Sequence, residues 1–208
     1  MNTRRWLRGN VAVGLGALVA ASTVWIVGGG TATAQRAVPQ ELAAANAAAL
    51  VHAVADARAG TAQYVTNLGL AKQNGYRIIT KMIPNMGYHF MNPNITGFDA
   101  TRPPILVYEH NGSAWQLGAV EWVFTEKPAV APIPGATYGA FGAGCHYADG
   151  TYVPAAAQSS CPTKAPGSGA KFGFWHPNLV TLHLWVWAPN PSGIFSGTNP
   201  LANAFNAG

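Results

Sequence analysis

Charge is scarce in this chain of 208 residues: only 9% of positions are Asp, Glu, Lys or Arg, and no basic run lies beyond the N-terminal segment. Nucleic-acid binding needs clustered Lys and Arg to meet phosphates, so that function class is excluded. Cysteine is nearly absent, with Cys145 and Cys161 the full complement and no CxxC pair. GxSxG, HExxH and a Gly-rich phosphate loop are missing too, which removes local support for a serine nucleophile, a zinc protease and a nucleotide site. Outside residues 11–27 there is no apolar stretch long enough to span a membrane.

What stands at the start is an export signal. Arg4, Arg5 and Arg8 make a basic end, residues 11–27 an uncharged apolar run, residues 28–30 a glycine break, and Ala32-Thr33-Ala34 a small-x-small cleavage motif. The competing reading is an uncleaved anchor, since the run sits at the lower edge of a spanning length. The segment Thr3-Arg4-Arg5-Trp6-Leu7-Arg8 also matches a twin-arginine signal, so both export routes stay open. The expected organisation is a signal peptide at 1–34, an Ala-rich helical segment at 35–60 and one globular domain at 61–208. Cleavage after Ala34 leaves nine Lys or Arg against seven Asp or Glu, a net charge of +2, on a protein of the periplasm, cell envelope or medium. In such an oxidising compartment Cys145 and Cys161 are expected to pair. Closing that loop is worth about 3 kcal/mol.

Residues 41–59 are half alanine and read as a helix with a thin stripe of Leu42, Leu50 and Val54. Gly60 is expected to break it and Thr61 to cap a second helix through Asn74, with Tyr64, Leu68 and Ala71 on one face. "PPILVYEH" and "AWQLGAVEWVFTE" flank Asn111-Gly112, a strong hairpin signal. A two-residue turn there places Arg102 opposite Glu121 and separates Glu109 from Glu121 by ~23 Å, too far for a glycosidase pair. Residues 128–178 read as loop and "LVTLHLWVWA" (179–188) as a buried strand. The fold class is α+β: N-terminal helices on a mainly antiparallel sheet, with long Pro- and Gly-rich loops and one disulfide.

Three polar residues interrupt apolar surroundings. Glu121 is the only charge between Ala114 and Phe124, so it must be paired or bind something, with Arg102 the structural partner on this register. His183 lies in "TLHLWVW", where alternation sets Thr181, His183, Trp185 and Trp187 against an aliphatic face of Val180, Leu182, Leu184 and Val186. His89 lies in "MIPNMGYHFMNP" among Met82, Met86 and Met91, a mixture that fits either thioether copper binding or irregular packing. Here the methionines are taken as packing and the segment as a rigid turn, fixed by Gly87 and Pro93, that aims His89 inward. His146 and His176 are placed in loops, beside Cys145 and Pro177, where either joins a site or is simply exposed.

"MGYHFMNP", "GAVEW", "CHYADGTYVPA" and "HPNLVTLHLWVWAPNPSGIFSGTNP" together resemble a family of small exported bacterial proteins. Its pattern is a Gly-Tyr-His-aromatic-x-Asn-Pro segment, a Val-Glu-aromatic strand and a Leu-His-x-Trp-x-Trp strand running into Asn-Pro-x-Gly. The likeness covers most of residues 61–201; it implies an organisation and no activity, and its polar marks fall on His89, Glu121 and His183. Two imidazoles and one carboxylate suit a divalent transition metal such as Cu, Zn, Fe or Mn with positions left open. The expected function is therefore an extracytoplasmic metal-binding protein or metalloenzyme whose partner is a metal or small molecule. The other reading is a metal-free module for envelope glycans or small apolar ligands, using Trp115, Trp122, Trp175, Trp185 and Trp187, with Tyr88, Trp185 and Trp187 as its ligand contacts. No feature selects an oligomeric state.

Overall fold

A computed structural model describes residues 40–202; the leader and its cleavage motif lie outside the described residues. Helix α1 (Gln40–Thr61) continues through Gly60 rather than breaking there. Gly60 is a packing residue: a Cβ at this position would run into the Thr101 carbonyl, so the helix can cross that backbone only without a side chain. Leu50, Ala53, Val54 and Ala57 make the helix's apolar seam, while Leu42 stays outside it. Thr61 is not the expected cap; its hydroxyl donates back to the Ala57 carbonyl at 2.6 Å, and one 3-10 turn (Ala62–Tyr64) follows. The second helix shrinks to α2 (Leu68–Gln73), because the Asn67 side chain accepts from the Leu70 N–H at 2.9 Å and caps it there. Tyr64, Leu68 and Ala71 are buried, as their spacing predicts.

Nine strands follow among the described residues. In chain order they are β1 (Arg77–Ile83), β2 (Gly87–Met91), β3 (Ile105–Asn111), β4 (Ala114–Phe124), β5 (Gly139–Phe141), β6 (Gly144–Tyr147), β7 (Tyr152–Pro154), β8 (Phe172–His176) and β9 (Leu179–Trp185). The larger sheet has the order β1-β2-β3-β4-β9-β5 and the smaller the order β7-β6-β8; every pairing is antiparallel. The class is α+β with the sheet dominant.

Two expectations are corrected here. Residues 128–178 hold four strands, each too short to show alternation and punctuated by glycine, which is why they read as loop. They are held in place by the Cys145–Cys161 disulfide, by the Lys81 N–H donating to the Gly150 carbonyl at 2.8 Å, and by His146 Nδ1–H donating to the Ile79 carbonyl at 2.6 Å. The "MGYHFMNP" segment, in turn, is strand β2, and the turn lies before it at residues 84–86, with Asn85 left-handed at φ 60°. Gly87 opens the strand at φ +120°, against the Tyr108 carbonyl, where no Cβ fits.

The larger sheet separates two environments by simple alternation. Phe90, Leu106, Tyr108, Val120, Trp122, Leu182 and Leu184 pack with the helices in the main core. Ile79, Ile105, Val107, Ala119 and Trp185 form a second cluster on the opposite face, which Phe174 of the smaller sheet covers.

Candidate metal centre

The hairpin register decides where Glu121 goes. Asn111 pairs with Ala114, so the turn is Gly112-Ser113 instead of Asn111-Gly112, and the ladder runs two positions off the expected one. Gly118 then enters as an extra residue, since Tyr108 faces Leu117 while Val107 faces Ala119. Without this bulge Glu121 would lie opposite Pro104, on the helix side; with it, Glu121 lies opposite Ile105 on the other face. Arg102 is therefore not its partner. Glu109 sits four ladder positions from Glu121, about 13 Å along the strand, still too far for a glycosidase pair.

On β9, His183 is directly opposite Glu121, and its Nε2 stands 3.0 Å from Glu121 Oε1. His89 comes from β2, two strands away, with Ile105 and Val107 of β3 between. Neighbouring strands are ~4.8 Å apart, so His89 and Glu121 must both lean over β3, and they bring Nε2 and Oε2 to 3.6 Å. The two imidazoles are 5.7 Å apart between ring centres and inclined at 65°. All three residues are buried, at 3–5% exposure.

The surroundings set the charge. Burial drives the His89 imidazole down to about 4, with the Glu121 charge opposing the drop and His183 and His146 adding to it, so His89 is a neutral ligand at neutral pH. Burial alone would raise the Glu121 carboxyl. The His183 imidazole beside it, that ring's hydrogen bond, His89 and the Thr181 hydroxyl together outweigh burial and hold it below the ordinary carboxylate value. Thr80 lies 2.8 Å from His89 Nδ1 and accepts the His89 backbone N–H at 3.2 Å. A hydroxyl serves either tautomer: it donates to a bare Nδ1, or accepts from Nδ1–H when Nε2 is engaged elsewhere.

The trio forms part of the wall of a cavity of about 530 Å³. Met86 and Met91 line it as well, whereas Met82 is an exposed residue outside it, so the three sulfurs do not form one site. His146 and His176, placed in loops by the sequence, are buried on β6 and β8 and line the same cavity. The aromatic candidates lie elsewhere. Trp122 and Trp185 are buried, their indole N–H groups donating to the carbonyls of Asp99 and Ser196. Trp187 donates to Thr61 Oγ1, Trp175 to the Ala155 carbonyl, and Trp115 lies tilted against His110 with Tyr88 at its edge.

One buried carboxyl outside the trio has a measurable consequence. Burial raises Glu109 to about 7, and its Oε1 has no hydrogen-bond partner among the described residues. The folded state then holds a proton that the unfolded chain gives up near pH 4.5, so Glu109 opposes folding increasingly as pH rises through this window. Glu109→Gln is expected to stabilise by about 1–2 kcal/mol at pH 8 and to give no gain at pH 4. Urea midpoints at the two pH values check it.

A mostly antiparallel, disulfide-bonded sheet protein with a buried two-His, one-carboxylate group is the class that fold and site define. No protein-family model matches the chain, no curated protein matches it, and no solved structure matches its fold.

Proposed function

We propose that this is an extracytoplasmic metal-binding protein in which His89, Glu121 and His183 hold one divalent transition-metal ion. The observation that carries the reading is the convergence of one ligand atom from each residue to within 4.8 Å of the others. Donors on one tetrahedral ion with ~2 Å bonds lie about 3.3 Å apart; His183 Nε2 stands 3.0 Å from one Glu121 oxygen and His89 Nε2 3.6 Å from the other, so each imidazole has a carboxylate oxygen near that spacing. Imidazole and carboxylate donors suit Zn, Cu, Fe and Mn. Three protein ligands leave positions open toward the cavity, the arrangement of a metalloenzyme; a bound ion would supply Lewis acidity or an acidified water there. The leader motif and the disulfide support an exported location. The resemblance to small exported bacterial proteins supports the same three residues.

A melting experiment tests the proposal. Zn, Cu, Fe or Mn is expected to raise the melting temperature of chelator-treated protein, by the equivalent of ~2.7 kcal/mol at a free concentration one hundred times the dissociation constant. The absence of a shift with all four ions would leave the metal-free binding module, for which the cavity rather than a tryptophan surface is the supporting observation.

A further inference from the structure

The cavity carries more information than the trio. Among the described residues its wall includes no Lys or Arg, and Glu121 is its only carboxylate. Phosphates and carboxylates find no cationic side chain in it, and a cationic ligand would compete with His89 and His183 for one acid. Most of the wall is apolar, with Ile79, Ile83, Ile105, Val123, Phe141 and Phe174 among its members. The volume of about 530 Å³ lies within the range of small-molecule pockets. Ala140 and Thr198 are exposed members of the wall and mark its mouth.

Two further wall residues define the polar end. His146 Nδ1 is 2.6 Å from the Ile79 carbonyl, and His176 Nδ1 is 2.6 Å from the Pro177 carbonyl. A carbonyl only accepts, so both Nδ1 atoms carry protons, and in the neutral rings both Nε2 atoms are hydrogen-bond acceptors. His176 is buried, and its Nε2 has no partner among the described residues. Both rings are held flat by stacking, His146 on Phe174 at 4.6 Å and 12° and His176 on Phe141 at 5.2 Å and 23°. A buried acceptor without a donor is costly, and a ligand that brings a donor relieves it.

We propose that this cavity binds an uncharged, largely apolar organic molecule that carries a hydroxyl group, of the phenol or aryl-alcohol class, and that His176 Nε2 selects it by accepting its O–H, with the His146 ring beside it in the wall. This identifies the ligand class of the site described above and rests on that reading only for what a bound metal would do to the ligand. The binding selectivity itself needs no ion.

The probes are 2-naphthol, 2-methoxynaphthalene and 2-naphthoate, which share one ring system and differ in donor and charge. Each is titrated into the mature disulfide-bonded protein in chelator-containing buffer at pH 7.5, and binding is read by calorimetry or by naphthalene fluorescence. The naphthol is expected to bind about tenfold more tightly than the methyl ether, the effect of one donor meeting an otherwise unpaired acceptor, and the naphthoate more weakly than both. His176→Phe keeps a flat ring against Phe141 and is expected to bring naphthol down to the level of the ether. Equal binding of naphthol and ether by the wild-type protein, a preference for naphthoate, or no binding of any probe at millimolar concentration overturns the proposal. Because no metal is present, these outcomes leave the metal-centre reading untouched, just as an absent metal response leaves the naphthol preference to be judged alone.

Discussion

Replacing His89 or His183 with Ala is expected to abolish the metal-dependent rise in melting temperature, while Met86→Leu and Met91→Leu are expected to leave it nearly intact. The reason is donor geometry. Each histidine supplies one of the three converging ligand atoms, and on the proposed reading a two-donor remnant loses the ion. The methionines belong to the cavity wall and the second apolar cluster, where leucine replaces them at nearly constant volume. About 2.7 kcal/mol of stabilisation at one hundred times the dissociation constant is the quantity lost. Thermal melts with and without zinc measure it. Silent histidine changes together with decisive methionine changes would shift the site to a thioether copper centre.

Acid is expected to destabilise the protein more steeply than ordinary histidines allow. Burial lowers His146 to about 4, with the Ile79 hydrogen bond opposing and His176 reinforcing the drop, and His89 falls to about 4 as well. In the unfolded chain both titrate near 6.5. Between these values the unfolded state binds more protons, so the stabilisation present above pH 6.5 is lost as pH falls toward 4, at up to about 3 kcal/mol for each ring. Glu109 acts in the opposite direction over a similar range. The comparison is therefore made in the Glu109→Gln background, where urea midpoints are expected to fall by several kcal/mol equivalents between pH 7.5 and 4.5. Constant or rising stability on acidification would contradict neutral buried imidazoles. The same depression moves proton competition for metal at His89 below the pH 6 that an ordinary imidazole suggests.

The sequence made the faces of β9 legible as far as Trp185, because Leu182 and Leu184 alternate strictly with Thr181, His183 and Trp185, and the structure sends the two sets to opposite sides. Trp187, beyond the strand's end, packs with Val186 in the main core and not on the His183 face. The sequence also marked Glu121 and His183 as isolated polar residues in apolar strands, and His89 as an inward-facing residue of a segment read as a turn. It misplaced the partner of Glu121, since hairpin register depends on which two residues turn and on a single bulge at Gly118, neither visible as a hydrophobic pattern. His146 and His176 read as loop residues for a related reason: "GCHY" and "FGFWH" are strands of four and five residues, too short for periodicity to declare. Gly60, legible as a helix breaker from sequence, is instead required by Thr101, a residue 41 positions away in the chain.

The central claim is that one metal ion is held by His89, Glu121 and His183, and its most direct test is elemental analysis of mature protein. The protein is exported by a native-like host and purified without chelators or an affinity tag, alongside the His89→Ala/His183→Ala double variant prepared identically. The expected result is close to one equivalent of a single transition metal per chain in the wild-type protein and none in the variant. A wild-type chain free of Zn, Cu, Fe and Mn, or a metal content equal in both proteins, would contradict the account.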